Sequence, residues 1–136
     1  MRTSLHLTFS GNCEEAFTFY AQTLGGKVDT MLRYGKSPEA AKTSPDWLDK
    51  IVHGNMTIGY TTIQGADVLP EQYERPQGFY VLLDVDDVAA GERCFRALST
   101  GGLVRMALQQ TFWSPAFGAL VDRFGIPWEV NCASAP

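Results

Sequence analysis

Leu5, Leu7 and Phe9 alternate with His6 and Thr8, the period-two pattern of a strand buried on one face. Ser10-Gly11-Asn12 interrupts the pattern, and Asn12 with Glu15 three residues on predicts a capping box. Ala16, Phe17, Tyr20, Ala21 and Leu24 then recur at spacings that lay them along one face of a helix, which Gly25-Gly26 ends. Lys27 to Tyr34 reads as a second strand. Residues 36–50 are polar, hold Pro38 and Pro45, and predict a loop or a broken short helix. Val52 to Ile63 predicts a strand, a tight turn near Gly59 and another strand. Gly65 to Gly78, with Pro70 and Pro76, predicts a linker long enough to serve also as a lid.

The same grammar then returns. Phe79 to Val85 is an apolar strand, and Asp86-Asp87 caps a helix whose inward face is Val88, Gly91, Phe95 and Leu98. Gly101-Gly102 ends it, and a strand follows from Leu103 to Leu108. Phe117 to Val121 and Ile126 to Cys132 form a hairpin around Asp122 to Gly125. Phe19 and Phe95, Gly25 and Gly101, and Val28 and Val104 are all separated by 76 positions (95−19, 101−25, 104−28). Two tandem βαβββ modules account for that agreement. The expected class is α+β, with one domain over 1–136: module one 1–64, linker 65–77 and module two 78–136. Each helix would cover one face of its sheet and leave the other free to line a cleft.

Composition narrows the function classes. A chain of 136 residues with 45% hydrophobic and 12% aromatic residues has material for a core without disulfides or metals. A net charge of −4 and the lack of a Lys/Arg run argue against nucleic-acid partners. No apolar stretch reaches the length of a membrane span, and the start lacks the apolar core of a secretion signal. Cys13, Cys94 and Cys132 show no C-x-x-C spacing, so no disulfide framework or zinc knuckle is expected, and a cytoplasmic location follows as the default.

Phe9-Ser-Gly-Asn-Cys-Glu-Glu-Ala16, with Phe19-Tyr20 and Leu24-Gly-Gly26, resembles the first helix of PhnB-like proteins. Thr111-Phe-Trp-Ser-Pro-Ala-Phe-Gly118, with Asp122-Arg-Phe-Gly125 and Trp128, resembles that group's closing hairpin. The PhnB-like group is a branch of the vicinal-oxygen-chelate (glyoxalase/bleomycin resistance/dioxygenase) superfamily. The resemblance implies paired βαβββ modules forming a cupped, cleft-lining sheet, and commonly a homodimer. It also implies a superfamily whose metal-using members chelate two neighbouring oxygens of a small substrate. The group is sometimes labelled a demethylubiquinone methyltransferase, but the chain shows no glycine-rich loop suited to S-adenosylmethionine.

Strand parity selects the candidate site. With Leu5, Leu7 and Phe9 under the helix, His6 and Thr8 face the cleft; with Val52, Met56 and Ile58 inward, so do His53 and Asn55. Ile126, Trp128 and Val130 inward turn Glu129 and Asn131 to the cleft, and His53 and Glu129 are again 76 apart (129−53), so the pseudo-twofold of the repeat would bring them together. Both histidines of the chain fall near positions where the resemblance places metal ligands. His6, His53 and Glu129 would suit a divalent Mn, Fe, Ni or Zn ion acting as a Lewis acid. The remaining ligand position implied by the resemblance falls near Tyr80, a candidate acid or hydrogen-bond donor, and Glu129 with Tyr80 are the candidate catalytic residues.

The alternative is a metal-free pocket lined by the same imidazoles. Thr8, Asn55 and Asn131 would then bind substrate, with Trp113 stacking on it and Trp47 covering it from the polar loop. Trp128 could stack too, though core packing is the plainer expectation. Cys13 at a helix start could be a favoured thiolate, but gap-filling is again plainer. Asp67 and Tyr73 read as linker residues near the cleft mouth, Asp122 and Arg123 as turn residues, and Glu14 and Glu15 as helix-start charges. Two functions stay open. One is a metal-dependent lyase, isomerase or transferase acting on a small oxygenated metabolite or antibiotic. The other is a small-molecule-binding protein without chemistry, using the same cleft.

Overall fold

The computed structural model describes residues 1–133. The chain forms two compact units, Met1–Glu74 and Arg75–Pro136. The first runs β1 (Leu5–Phe9), α1 (Cys13–Leu24), β2 (Lys27–Arg33), β3 (Ile51–Ile58) and β4 (Thr61–Asp67); the second runs β5 (Val81–Val85), α2 (Val88–Ser99), β6 (Leu103–Gln109), β7 (Ala116–Val121) and β8 (Pro127–Cys132). Each unit is βαβββ, as the repeat predicts. The sheet orders are β1-β4-β3-β2 and β5-β8-β7-β6, with only β1–β4 and β5–β8 parallel.

In the first unit the α1 face of Ala16, Phe17 and Tyr20 is buried together with Leu7, Phe9, Met56 and Ile63 of the sheet. Phe17 sits directly on backbone: a Cβ at Gly65 would lie 2.6 Å from its ring, and one at Gly54, paired with Gly65 across β3–β4, would lie 3.3 Å away. Gly65 is therefore a seat for an aromatic ring inside a strand. The linker expected from Gly65 begins instead after Asp67, because this glycine makes room rather than a turn. Gly59, at φ 57°, makes the expected turn between β3 and β4. Residues 34–47 hold three short 3₁₀ turns, so Tyr34 closes β2 rather than extending it.

The capping box expected at Asn12 does not form, since its side chain caps nothing. Asp67, at the far end of β4, does that work. Its Oδ1 accepts from the backbone N–H of Gly11 and Cys13, both at 2.9 Å, and its Oδ2 from Ile51 N–H at 2.8 Å. Asp67 is 1% exposed, so this expected linker residue ties together the α1 start, β3 and β4.

In the second unit Asp87 caps α2 as expected, accepting from Ala90 N–H at 2.8 Å. Gly91, Phe95 and Leu98 face inward. Phe95 packs on Gly118, where a Cβ would come within 2.7 Å of its ring. Leu120, Ile126, Trp128, Val130 and Cys132 complete the buried layer, with Gly125 in the turn at φ 89°. Phe79 and Tyr80 stay outside the strand, which starts at Val81. Among the described residues, no helix is long and apolar enough to cross a membrane.

Candidate functional site

Each helix covers one face of its own sheet, and the strand residues expected at the site, His6, Thr8, His53, Asn55, Glu129 and Asn131, alternate with the buried ones. In the first unit, His6 pairs with Gln64 and Gln64 with Asn55, so the three form one row across β1, β4 and β3. His53 pairs with Leu32 of β2 and is exposed, two residues from Asn55 along β3. His6 and His53 are thus two strand spacings and two residues apart, roughly 12 Å between Cα atoms. Asn55 carries its amide oxygen shielded from solvent and without a hydrogen-bond donor.

In the second unit, Leu82 of β5 pairs with Glu129 of β8, which pairs with Ala119 of β7; one step along, Asp84 pairs with Asn131 and Asn131 with Phe117. Asn131 donates its amide N–H to Asp84 Oδ1 at 2.9 Å, while its amide oxygen is shielded and has no donor. Tyr80 precedes β5, and its hydroxyl accepts from Arg105 Nη1 at 3.0 Å, with the guanidinium 5.7 Å from the ring centroid. These residues come from opposite edges of one sheet, three strand spacings or about 14 Å apart.

The topology corrects the pairing of His53 with Glu129. Sheet order makes β4 the counterpart of β8, and β3 that of β7. The offset of 76 holds for the first strands (81−5) but falls to 65 for the closing ones (128−63), because residues 34–50 have no equal in the second unit. Glu129 therefore corresponds to Gln64 (129−65), and Leu82 occupies the position beside Glu129 where a ligand was placed near Tyr80. Each adjacent pair offers one good donor with a weak or useless partner: His6 with Gln64, Glu129 with Leu82. Among the described residues no group of three or more His, Cys, Asp or Glu is disposed to hold a metal ion.

The aromatic candidates separate. Trp128 is fully buried and donates its indole N–H to Asp122 Oδ2 at 2.9 Å, which makes it core. Trp113 is 54% exposed and meets Phe112 and Phe117 edge-on, at centroid distances of 4.7 and 5.3 Å. Trp47 packs by Gly11, with the Lys50 ammonium 5.9 Å from its ring, and so secures the start of α1. A groove of about 520 Å³ lies there too, between the first turn of α1, Arg33 and Lys50. Its cations are engaged: Arg33 bonds Glu14 and the Asp49 carbonyl at 2.7 Å, and Lys50 the Gly11 carbonyl at 2.9 Å. Thr8 lies on the open face of β1, half-buried, and Tyr73 follows a 3₁₀ turn after β4.

Cys13 is buried, and burial, with Asp67 and Glu14 nearby, pushes its thiol far above the ordinary range. The helix start thus gives no thiolate. Peptide mass mapping after native maleimide treatment is expected to find Cys94 modified first, with Cys13 and Cys132 untouched until the chain unfolds. Native labelling of Cys13 would contradict the packing described.

Sequence reasoning missed Gln64, Asp84, Arg105 and Phe117. The alternation of Leu82 and Asp84 with Val81, Leu83 and Val85 could have found Asp84. Gln64 was hidden by reading the next residue as a linker.

Two βαβββ units, each with a helix on one sheet face and polar residues on the other, place the chain in the glyoxalase/bleomycin-resistance class of α+β folds. A glyoxalase/bleomycin resistance protein/dioxygenase family enzyme from Burkholderia phytofirmans PsJN shares that fold, with TM-score 0.66 and 14% identity over 96% of this chain and 97% of that one. The family model described as 3-demethylubiquinone-9 3-methyltransferase matches residues 2–131, and the chain belongs to that PhnB-like family. Protein YjdN of Escherichia coli (strain K12) is 35% identical over 141 residues, covering 96% of this chain and 95% of that one. The structure of protein PA1353 from Pseudomonas aeruginosa matches with TM-score 0.89 and 42% identity, covering 100% and 99% of the two chains.

Proposed function

We propose that this protein binds a small molecule on the sheet faces its helices leave open, as a sequestering or carrier protein without a resident metal. The observation that supports this most is the pair of shielded, undonated amide oxygens of Asn55 and Asn131. An amide oxygen shielded from water with no donor costs about 1–3 kcal/mol, a cost that a ligand N–H or O–H would remove.

Asn55→Val separates this role from a structural one. The variant is expected to be at least as stable as the parent, because the uncompensated oxygen is gone and valine suits a strand. It is also expected to lose about tenfold in affinity for compounds found by a thermal-shift screen of small metabolites and antibiotics. Lower stability with unchanged ligand shifts would refute the role of Asn55. Elemental analysis and thermal shifts with Mn²⁺, Fe²⁺, Ni²⁺ and Zn²⁺ decide the metal. A stoichiometric ion lost from both Glu129→Gln and His53→Ala would restore the metal-dependent lyase, isomerase or transferase reading.

A further inference from the structure

The second unit's open face has a chemistry of its own. Two carboxylates lie on it, Glu129 and Asp84, beside the undonated amide oxygen of Asn131, which is itself shielded from water. Among the described residues Glu129 makes no hydrogen bond or ion pair, and Asp84 receives only the Asn131 amide. Arg105 of the same unit is held against Tyr80. Phe117, beside Asn131 in register, extends the row into an aromatic wall with Trp113 and Phe112, whose rings are 54% and 97% exposed.

Two acids against one engaged guanidinium, next to an open indole, favour a positive charge delocalised over a flat ring. Such a ligand would give its N–H groups to the acceptors and its face to Trp113. Resting on the binding role proposed above, we infer that this face takes a planar aromatic cation bearing amino or amidinium N–H donors. An anionic ligand would have to approach two carboxylates, and a purely apolar one would strip water from them without supplying a donor.

The full-length protein can be titrated calorimetrically with three flat tricyclic probes: proflavine, a cation with two amino groups; acridone, neutral; and anthracene-9-carboxylate, an anion. Proflavine is expected to bind at least about tenfold tighter than either other probe. Asp84→Asn and Glu129→Gln should each weaken it about tenfold, and Trp113→Ala about fivefold, with melting temperatures close to the parent's. Equal or tighter binding of the neutral or anionic probe, still sensitive to Trp113→Ala, would overturn the ligand class and leave open-face binding standing. Proflavine affinity unchanged in all three variants would overturn the site. Failure of every probe would overturn the inference, and only an empty metabolite screen as well would remove the binding role.

Discussion

Asp67→Ala is expected to lower the melting temperature by roughly 10–15 °C, which follows from a loss of about 3–5 kcal/mol. The carboxylate is 1% exposed and accepts from three backbone N–H groups, those of Gly11, Cys13 and Ile51. Alanine leaves the Cys13 and Ile51 groups buried and unpaired and the Gly11 group part-buried, the buried ones costing about 1–3 kcal/mol each before relaxation, and opens a small cavity. Asp67→Asn should fall between. Its single oxygen can keep Gly11 and Cys13, but its amide nitrogen then opposes the Ile51 N–H, donor against donor. Thermal melts of both variants, with hydrogen exchange at those three amides, check the order. A loss for Asp67→Ala below about 1 kcal/mol would mean that the α1 start does not depend on this residue.

Most of the fold was legible because its signals are local. Period-two alternation placed β1 and β8, and the Ala16, Phe17, Tyr20 spacing placed α1. The glycine pairs stopped both helices, Gly25 and Gly101 having φ of 69° and 77°. The failures were nonlocal. Asn12 had every local mark of a cap, yet a carboxylate 55 residues on (67−12) outcompetes it, and no spacing rule reaches that far. Gly65 looked like the start of a linker because the need for a Cβ-free seat under Phe17 is visible only in three dimensions.

The candidate site was legible in part, for a related reason. Parity within a strand put His6, Asn55, Glu129 and Asn131 on one face of each sheet, and the register sets His6 and Asn55 in one row with Gln64 and sets Glu129 beside Leu82. Correspondence between the modules was then carried by a constant offset, which an insertion breaks. Once residues 34–50 intervene, equal spacing no longer means equal place, and β3 was matched to β8. Aligning by strand order instead brings out Gln64 and Leu82, the two residues that most weaken the ligand set.

Asp122→Ala is expected to be nearly as costly as the change at Asp67, again about 3–5 kcal/mol. The side chain is 3% exposed; Oδ1 accepts from Phe124 and Ile126 N–H at 2.8 and 2.9 Å, and Oδ2 from the Trp128 indole at 2.9 Å. It therefore holds the β7–β8 turn closed and fixes the largest buried side chain of its unit, beyond the plain turn role its sequence suggests. Trp128→Phe divides the two contributions. It spares both turn contacts and removes one donor and part of a ring, so a loss of about 1–3 kcal/mol is expected. If the turn contacts dominate, Asp122→Ala should speed hydrogen exchange at Phe124 and Ile126 far more than Trp128→Phe does. Equal acceleration in the two variants would place the stabilisation in the indole contact and contradict the assignment of the turn to Asp122.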